Sequence, residues 1–152
     1  MEYKTLLVET KNNIGIVWLN RPKLHNALDD TMTAELTAAM QEMDSDPEVR
    51  IVVLAGTGKS FSAGADIVWM KRQAGFNPRQ SRAEAVNVAA MLHTIDTMKK
   101  PTIARVHGPA FGEGVGLIAA CDMAVTAYEA EYCLSDVRLG LPPITVTPYV
   151  VR

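Results

Sequence analysis

Twice along the chain, an apolar run that reads as a buried strand enters a small, glycine-rich turn that opens a helix. The first copy is residues 51–56 followed by Ser62-Ala63-Gly64-Ala65-Asp66. The second is residues 102–108 followed by Ala110-Phe111-Gly112-Glu113-Gly114-Val115-Gly116. The first N–H groups of a helix have no partner within it. Each turn can therefore aim backbone N–H groups outward. Two such turns side by side can hold one oxygen atom between them, which is the geometry of an oxyanion hole. Strands alternating with helices imply an α/β fold with parallel pairing.

The bulk numbers fit one domain with a real core: 152 residues, of which 48% are hydrophobic. A formal charge of -2 leaves no electrostatic footprint for nucleic acid. Cys121 and Cys133 sit in apolar surroundings and read as buried, reduced thiols, with no C-x-x-C pair and no metal-type cluster. The first residues lack the basic-then-apolar pattern of a signal peptide, and no apolar stretch reaches membrane-span length. These features lead us to expect a cytoplasmic protein with no membrane partner. The last residues, Pro148-Tyr149-Val150-Val151-Arg152, carry no stop signal, which suggests a fragment.

Residues 3–9 and 14–19 are β-rich runs around Lys11-Asn12-Asn13, read as a hairpin with a loop slightly longer than the tightest type. Asp29 or Asp30 can cap the next helix, in which Met32, Leu36, Met40 and Met43 fall on one face. Residues 51–54 are apolar on both faces, as suits a strand covered on both sides. A short helix starts at Ala65 or Asp66, and residues 75–78 read as a loop. Ser81-x-x-Glu84 is a capping box, opening a helix that buries Val88, Met91, Leu92, Ile95 and Met98. Residues 122–127 and 131–134 read as two further short strands.

Two attractive motifs fail. A phosphate loop ending at Gly58-Lys59-Ser60 needs a glycine where Val53 stands, and a dinucleotide fingerprint from Gly112 needs one where Leu117 stands. His25 and His107 are tempting general bases, but a histidine beside a turn is more often structural. Trp18 and Trp69 read as packing residues, although Trp69 follows the first turn and can line a pocket.

Together these residues resemble the enoyl-CoA hydratase/isomerase family, also called the crotonase superfamily. The matching stretches are Leu19-Asn20-Arg21-Pro22 with Asn26-Ala27-Leu28, Phe61 through Ile67, Lys100 through Ala104, Gly108 through Asp122, and Val137-Arg138-Leu139-Gly140-Leu141. Within the family, Met70-Lys71-Arg72 and Gly114-Val115-Gly116-Leu117 look most like methylglutaconyl-CoA hydratase-type members. The resemblance implies a crotonase-like ββα spiral lacking the C-terminal helical part, with residues 1–152 forming an acyl-CoA-binding core. It also implies a homotrimer or hexamer. No separate cofactor is implied, because coenzyme A arrives as part of the acyl-CoA thioester substrate.

The resemblance further implies that the N–H groups of Ala65 and Glu113 donate to the thioester oxygen, with Gly112 beside the second donor. Ala63, Ala65, Asp66, Ile67 and Val68 would contact the coenzyme A portion, with Lys23 and Leu24 near its entrance. The sequence departs from the family pattern at three positions. Gly116 stands where hydratases commonly carry a catalytic glutamate. Asp136 stands where the other glutamate aligns. Glu113 replaces a glycine in the oxyanion turn, and two readings of it stay open. Its side chain points away or damages the site, or it is a relocated acid/base three residues from position 116. The expected activity is hydration of a 2-enoyl-CoA with Asp136 as acid/base. The alternatives are double-bond isomerisation on one carboxylate and an inactive acyl-CoA-binding fragment.

Overall fold

The structure, a computed structural model, describes residues 2–152. Strands β1 (Leu6–Lys11) and β2 (Ile14–Leu19) form an antiparallel hairpin. Lys11 pairs directly with Ile14, so only Asn12 and Asn13 form the turn, both at positive φ. This is the tightest hairpin type rather than the longer loop read from the sequence. Asparagine tolerates the left-handed region, so an Asn-Asn pair suits a turn that needs it twice. After β2, a 3-10 turn (Pro22–Leu24) leads into helix α1 (Asp30–Ser45). Asp29, rather than Asp30, caps α1 by accepting the Met32 N–H at 2.8 Å.

Strands β3 (Ile51–Gly56), β4 (Thr102–Val106) and β6 (Met123–Thr126) continue the sheet in parallel, in the order β1-β2-β3-β4-β6. Val17, Leu54 and Ala104 lie in register and are fully buried. Met32, Leu36, Met40 and Met43 of α1 join the same core, and Met43 lies over Gly15 of β2. The other face is less covered than the sequence suggests, since Ile51 and Val53 are only half-buried. On that face Trp18, Ala55 and Arg105 line up across three strands. The Arg105 guanidinium stacks 5.4 Å from the Trp18 ring centre.

Helices α2 (Ile67–Gln73) and α3 (Pro78–Asp96) follow β3. Helix α3 starts one turn earlier than the Ser81 box implies. Asn77 is its cap, exchanging hydrogen bonds with Gln80, and Pro78 occupies the first turn. Val88, Met91, Leu92 and Ile95 are buried as the periodicity requires, while Met98 is half-buried against them. Strand β5 (Ala110–Phe111) pairs in parallel with β7 (Tyr132–Cys133), and helix α4 (Glu113–Ala120) separates β5 from β6. A 3-10 segment (Ser135–Leu139) and a short helix α5 (Thr147–Val150) close the described chain. Burial pushes the Cys121 thiol up to about 12, so it is an inert core group. Cys133 is free and only half-buried. No helix is long and apolar enough to cross a membrane among the described residues.

Candidate active site

The two glycine-rich turns cross at close range. Phe61 N–H donates to Pro109 O at 3.0 Å and Phe111 N–H to Ser62 O at 2.9 Å, with Ser62 and Ala110 bridged in parallel. Such proximity leaves no room for a side chain at Gly64. A Cβ there would sit 2.7 Å from Phe111 O, and its φ of +82° favours glycine in any case. Leu28 N–H donates to Gly64 O and Asp66 N–H donates to Leu28 O, each at 2.8 Å. Alternate residues of an extended segment point to opposite sides. Ala65, held between these two bonds, therefore turns its own N–H the other way, toward helix α4.

The residues behind this turn explain the matching motif around positions 20–28. Asn26 is fully buried, and its Nδ2 donates to the carbonyls of Thr57, Ser60 and Phe61 at 2.8, 2.9 and 3.1 Å. Arg21 donates to Ala27 O and pairs with Asp29 and Asp66 at 3.1 and 3.0 Å. Asp66 caps α2 by accepting the N–H groups of Val68 and Trp69. Burial opposes its ionisation, but those N–H groups and Arg21 prevail, holding the carboxyl below its ordinary 3.8. The motif thus fixes the backbone on both sides of Ala65.

The other N–H group that the resemblance singles out lies at the start of α4. Gly112 adopts φ 49° and ψ -120°, and Glu113 is the first helical residue. Ala65 N–H does not face an open space. It donates to Glu113 Oε2 at 2.9 Å, and Glu113's own N–H also favours the charged form of that carboxylate. The side chain therefore does not point away from the turn. One of its oxygens occupies the acceptor position at the Ala65 N–H. Burial raises the pKa of Glu113 most strongly, and the charge of Asp136 adds to this. The two N–H groups oppose the rise without cancelling it.

Around this point lies a cleft of about 360 Å³, lined by Ala65, Trp69, Glu84, Glu113, Asp136 and Val146 among others. Asp136 Oδ2 is buried without a hydrogen-bond partner, and the Trp69 indole N–H is in the same condition. Gly116 does not offer room for a longer side chain, because a Cβ there would run into Val146. A second cleft of about 350 Å³ is lined by Arg21, Leu24, Asp66, Val68 and Arg72, and it shares Trp69 with the first. Leu24 and Val68 are exposed at its wall, whereas Lys23, Ala63 and Ile67 line neither cleft. His25 Nδ1 meets Ser60 Oγ and His107 Nε2 meets Gly58 O, both at 2.9 Å. Both histidines hold the 57–60 loop rather than the first cleft. The sequence reading missed Glu84, which helical spacing from Val88 places on the same face of α3.

The family pattern described as enoyl-CoA hydratase/isomerase matches residues 9–152. The chain belongs to the enoyl-CoA hydratase/isomerase family. It is 34% identical over 144 residues to a crotonyl-CoA hydratase of Syntrophomonas wolfei, covering 94% of this chain and 54% of that one. It is 34% identical over 143 residues to a hydroxycinnamoyl-CoA hydratase-lyase of Pseudomonas fluorescens, covering 93% and 52%. A crystal structure of an enoyl-CoA hydratase from Shewanella pealeana superposes with a TM-score of 0.96 at 36% identity, covering 99% of this chain and 57% of that one. The chain thus spans about half the length of the relatives it matches, and its fold is the crotonase α/β architecture over that span.

Proposed function

We propose that this chain binds a 2-enoyl-CoA thioester and carries the hydration chemistry of its family. The observation that supports this most is the Ala65 backbone N–H held on a carboxylate oxygen of Glu113, the first residue of α4, in a cleft. A thioester oxygen placed there gains negative charge as hydroxide adds to the β carbon. Fixed donors stabilise that charge more than the neutral carbonyl. Asp136, with a buried unpaired oxygen on the cleft wall, takes a proton from water as the oxygen attacks. It then returns that proton to the α carbon as the enolate collapses, leaving a 3-hydroxyacyl-CoA. The methylglutaconyl-type resemblance points to a branched acyl group.

One observation favours a second reading. Val146 fills the space beside Gly116, so no second carboxylate stands there. Isomerisation needs only one group to carry a proton between the α and γ carbons, and Asp136 suffices for it. Ultraviolet absorbance of the conjugated enoyl-thioester separates the two readings. Loss of the band with 2-enoyl-CoA, reduced about 100-fold or more in Asp136→Asn, is the expected result. A band appearing from 3-enoyl-CoA identifies the isomerase. Thioester binding without either change leaves an acyl-CoA-binding protein.

A further inference from the structure

We propose that Glu113 is the resting occupant of the oxyanion hole, a carboxylate gate that a thioester oxygen must displace. The inference rests on the acyl-CoA reading above and adds a constraint on when that site opens. Its basis is geometric. Glu113 Oε2 lies 2.9 Å from Ala65 N, and it would sit 3.3 Å from a Cβ on Gly64, so this oxygen lies close against bare backbone. Its own N–H, at the start of α4, also favours the charged carboxylate. The Ala65 N–H, a donor that the family would offer to substrate, is thereby satisfied within the chain. Charge-assisted bonds of this kind are roughly twice as strong as neutral ones. A neutral thioester carbonyl is therefore the weaker competitor while Glu113 is ionised.

The surroundings give the displaced carboxylate nowhere favourable to go. Asp136 of the 3-10 segment and Glu84 of α3 face the same cleft, and α2 contributes Trp69, Met70 and Gln73. The 141–146 stretch supplies only apolar groups and Thr145. Among the described residues, no lysine, arginine or histidine lines this cleft. Arg72 of α2 is turned to Asp30, and Arg21 is held by Asp29 and Asp66. A carboxylate leaving the Ala65 N–H moves among like charges, so thioester entry is accompanied by proton uptake. Thioester affinity accordingly rises as pH falls, while binding of coenzyme A without an acyl carbonyl does not depend on Glu113.

Two measurements test the gate. In ligand-free protein, the Ala65 amide resonance followed by NMR is expected to titrate with a midpoint above 4.5, the ordinary value for this carboxyl. Glu113→Gln is expected to abolish the titration. An Ala65 amide indifferent to pH overturns the proposal. The second measurement compares, by titration calorimetry, binding of a saturated acyl-CoA, whose thioester carbonyl stays neutral, with binding of free coenzyme A. In Glu113→Ala the thioester is expected to bind about tenfold tighter at alkaline pH, a gain of about 1.4 kcal/mol. Its pH dependence should vanish and free coenzyme A should bind unchanged. Equal thioester affinity in both forms overturns the gate and leaves the acyl-CoA reading standing. If neither form binds coenzyme A or thioester, the acyl-CoA reading fails, and the Ala65 titration still decides whether Glu113 fills the hole.

Discussion

At the scale of the residue, the sequence singles out the N–H groups of Ala65 and Glu113 but not what meets them. The glycines at 64 and 112 betray a backbone held open, because the conformations they adopt suit little else. The rotamer of Glu113 leaves no such trace. Whether its carboxylate leaves the turn or folds back onto it depends on Ala65, which is 48 residues away. Burial of this carboxyl has a consequence for stability. Its folded pKa is raised above 4.5, so the native state keeps a proton that the unfolded chain releases. The resulting stability is fully present below 4.5 and is lost as pH rises through the folded value. Glu113→Gln keeps an oxygen for the Ala65 N–H and carries no charge toward Asp136. We expect it to melt above the wild type at neutral pH, with the difference closing as pH falls below 4.5. Thermal melts across pH check this, and a constant difference would contradict it.

At the scale of the element, local rules succeed where one signal dominates and fail where two compete. The apolar face of α1 is unambiguous, and its buried residues are those the spacing selects. The start of α3 offers both Asn77-x-x-Gln80 and Ser81-x-x-Glu84. Pro78, suited to a first helical turn, decides for the earlier box. The half-covered face of β3 is a tertiary matter, since nothing in its apolar run says how much lies against it. Long-range ties are equally hidden. Asn26 reads as part of a motif, but its work is to hold three carbonyls of the 57–61 loop. Asn26→Ala leaves those buried acceptors short of a donor, at a cost of about 2–3 kcal/mol. It should also loosen the turn that orients Ala65. A denaturant midpoint measures the first effect, and loss of the Ala65 amide titration reports the second. A stability change within about 0.5 kcal/mol would show that the loop holds without it.

At the scale of the whole molecule, the apolar residues fall into two populations. One is the closed core between the sheet, α1 and α3. The other is an exposed series over the last third, including Met123, Val125, Tyr128, Val137, Leu139 and Ile144. Strand β6 ends the five-stranded sheet, and every residue of it is exposed. An apolar edge strand is a template for pairing with another chain, and exposed apolar patches of this kind mark interaction surfaces. The series itself is not visible to composition, because a strand such as Met123–Thr126 reads as core until its neighbours are known. The family expectation of a trimer or hexamer and this strip lead to the same prediction. The protein is expected to self-associate as its concentration rises, and Val125→Lys to weaken that association. Val125 is 64% exposed, so the substitution should change monomer stability by less than about 0.5 kcal/mol. Sedimentation velocity of both forms, alongside thermal melts at low concentration, measures the two effects separately. Unchanged association would place the contact elsewhere on the surface. A large loss of stability would mean instead that β6 is covered in the folded monomer.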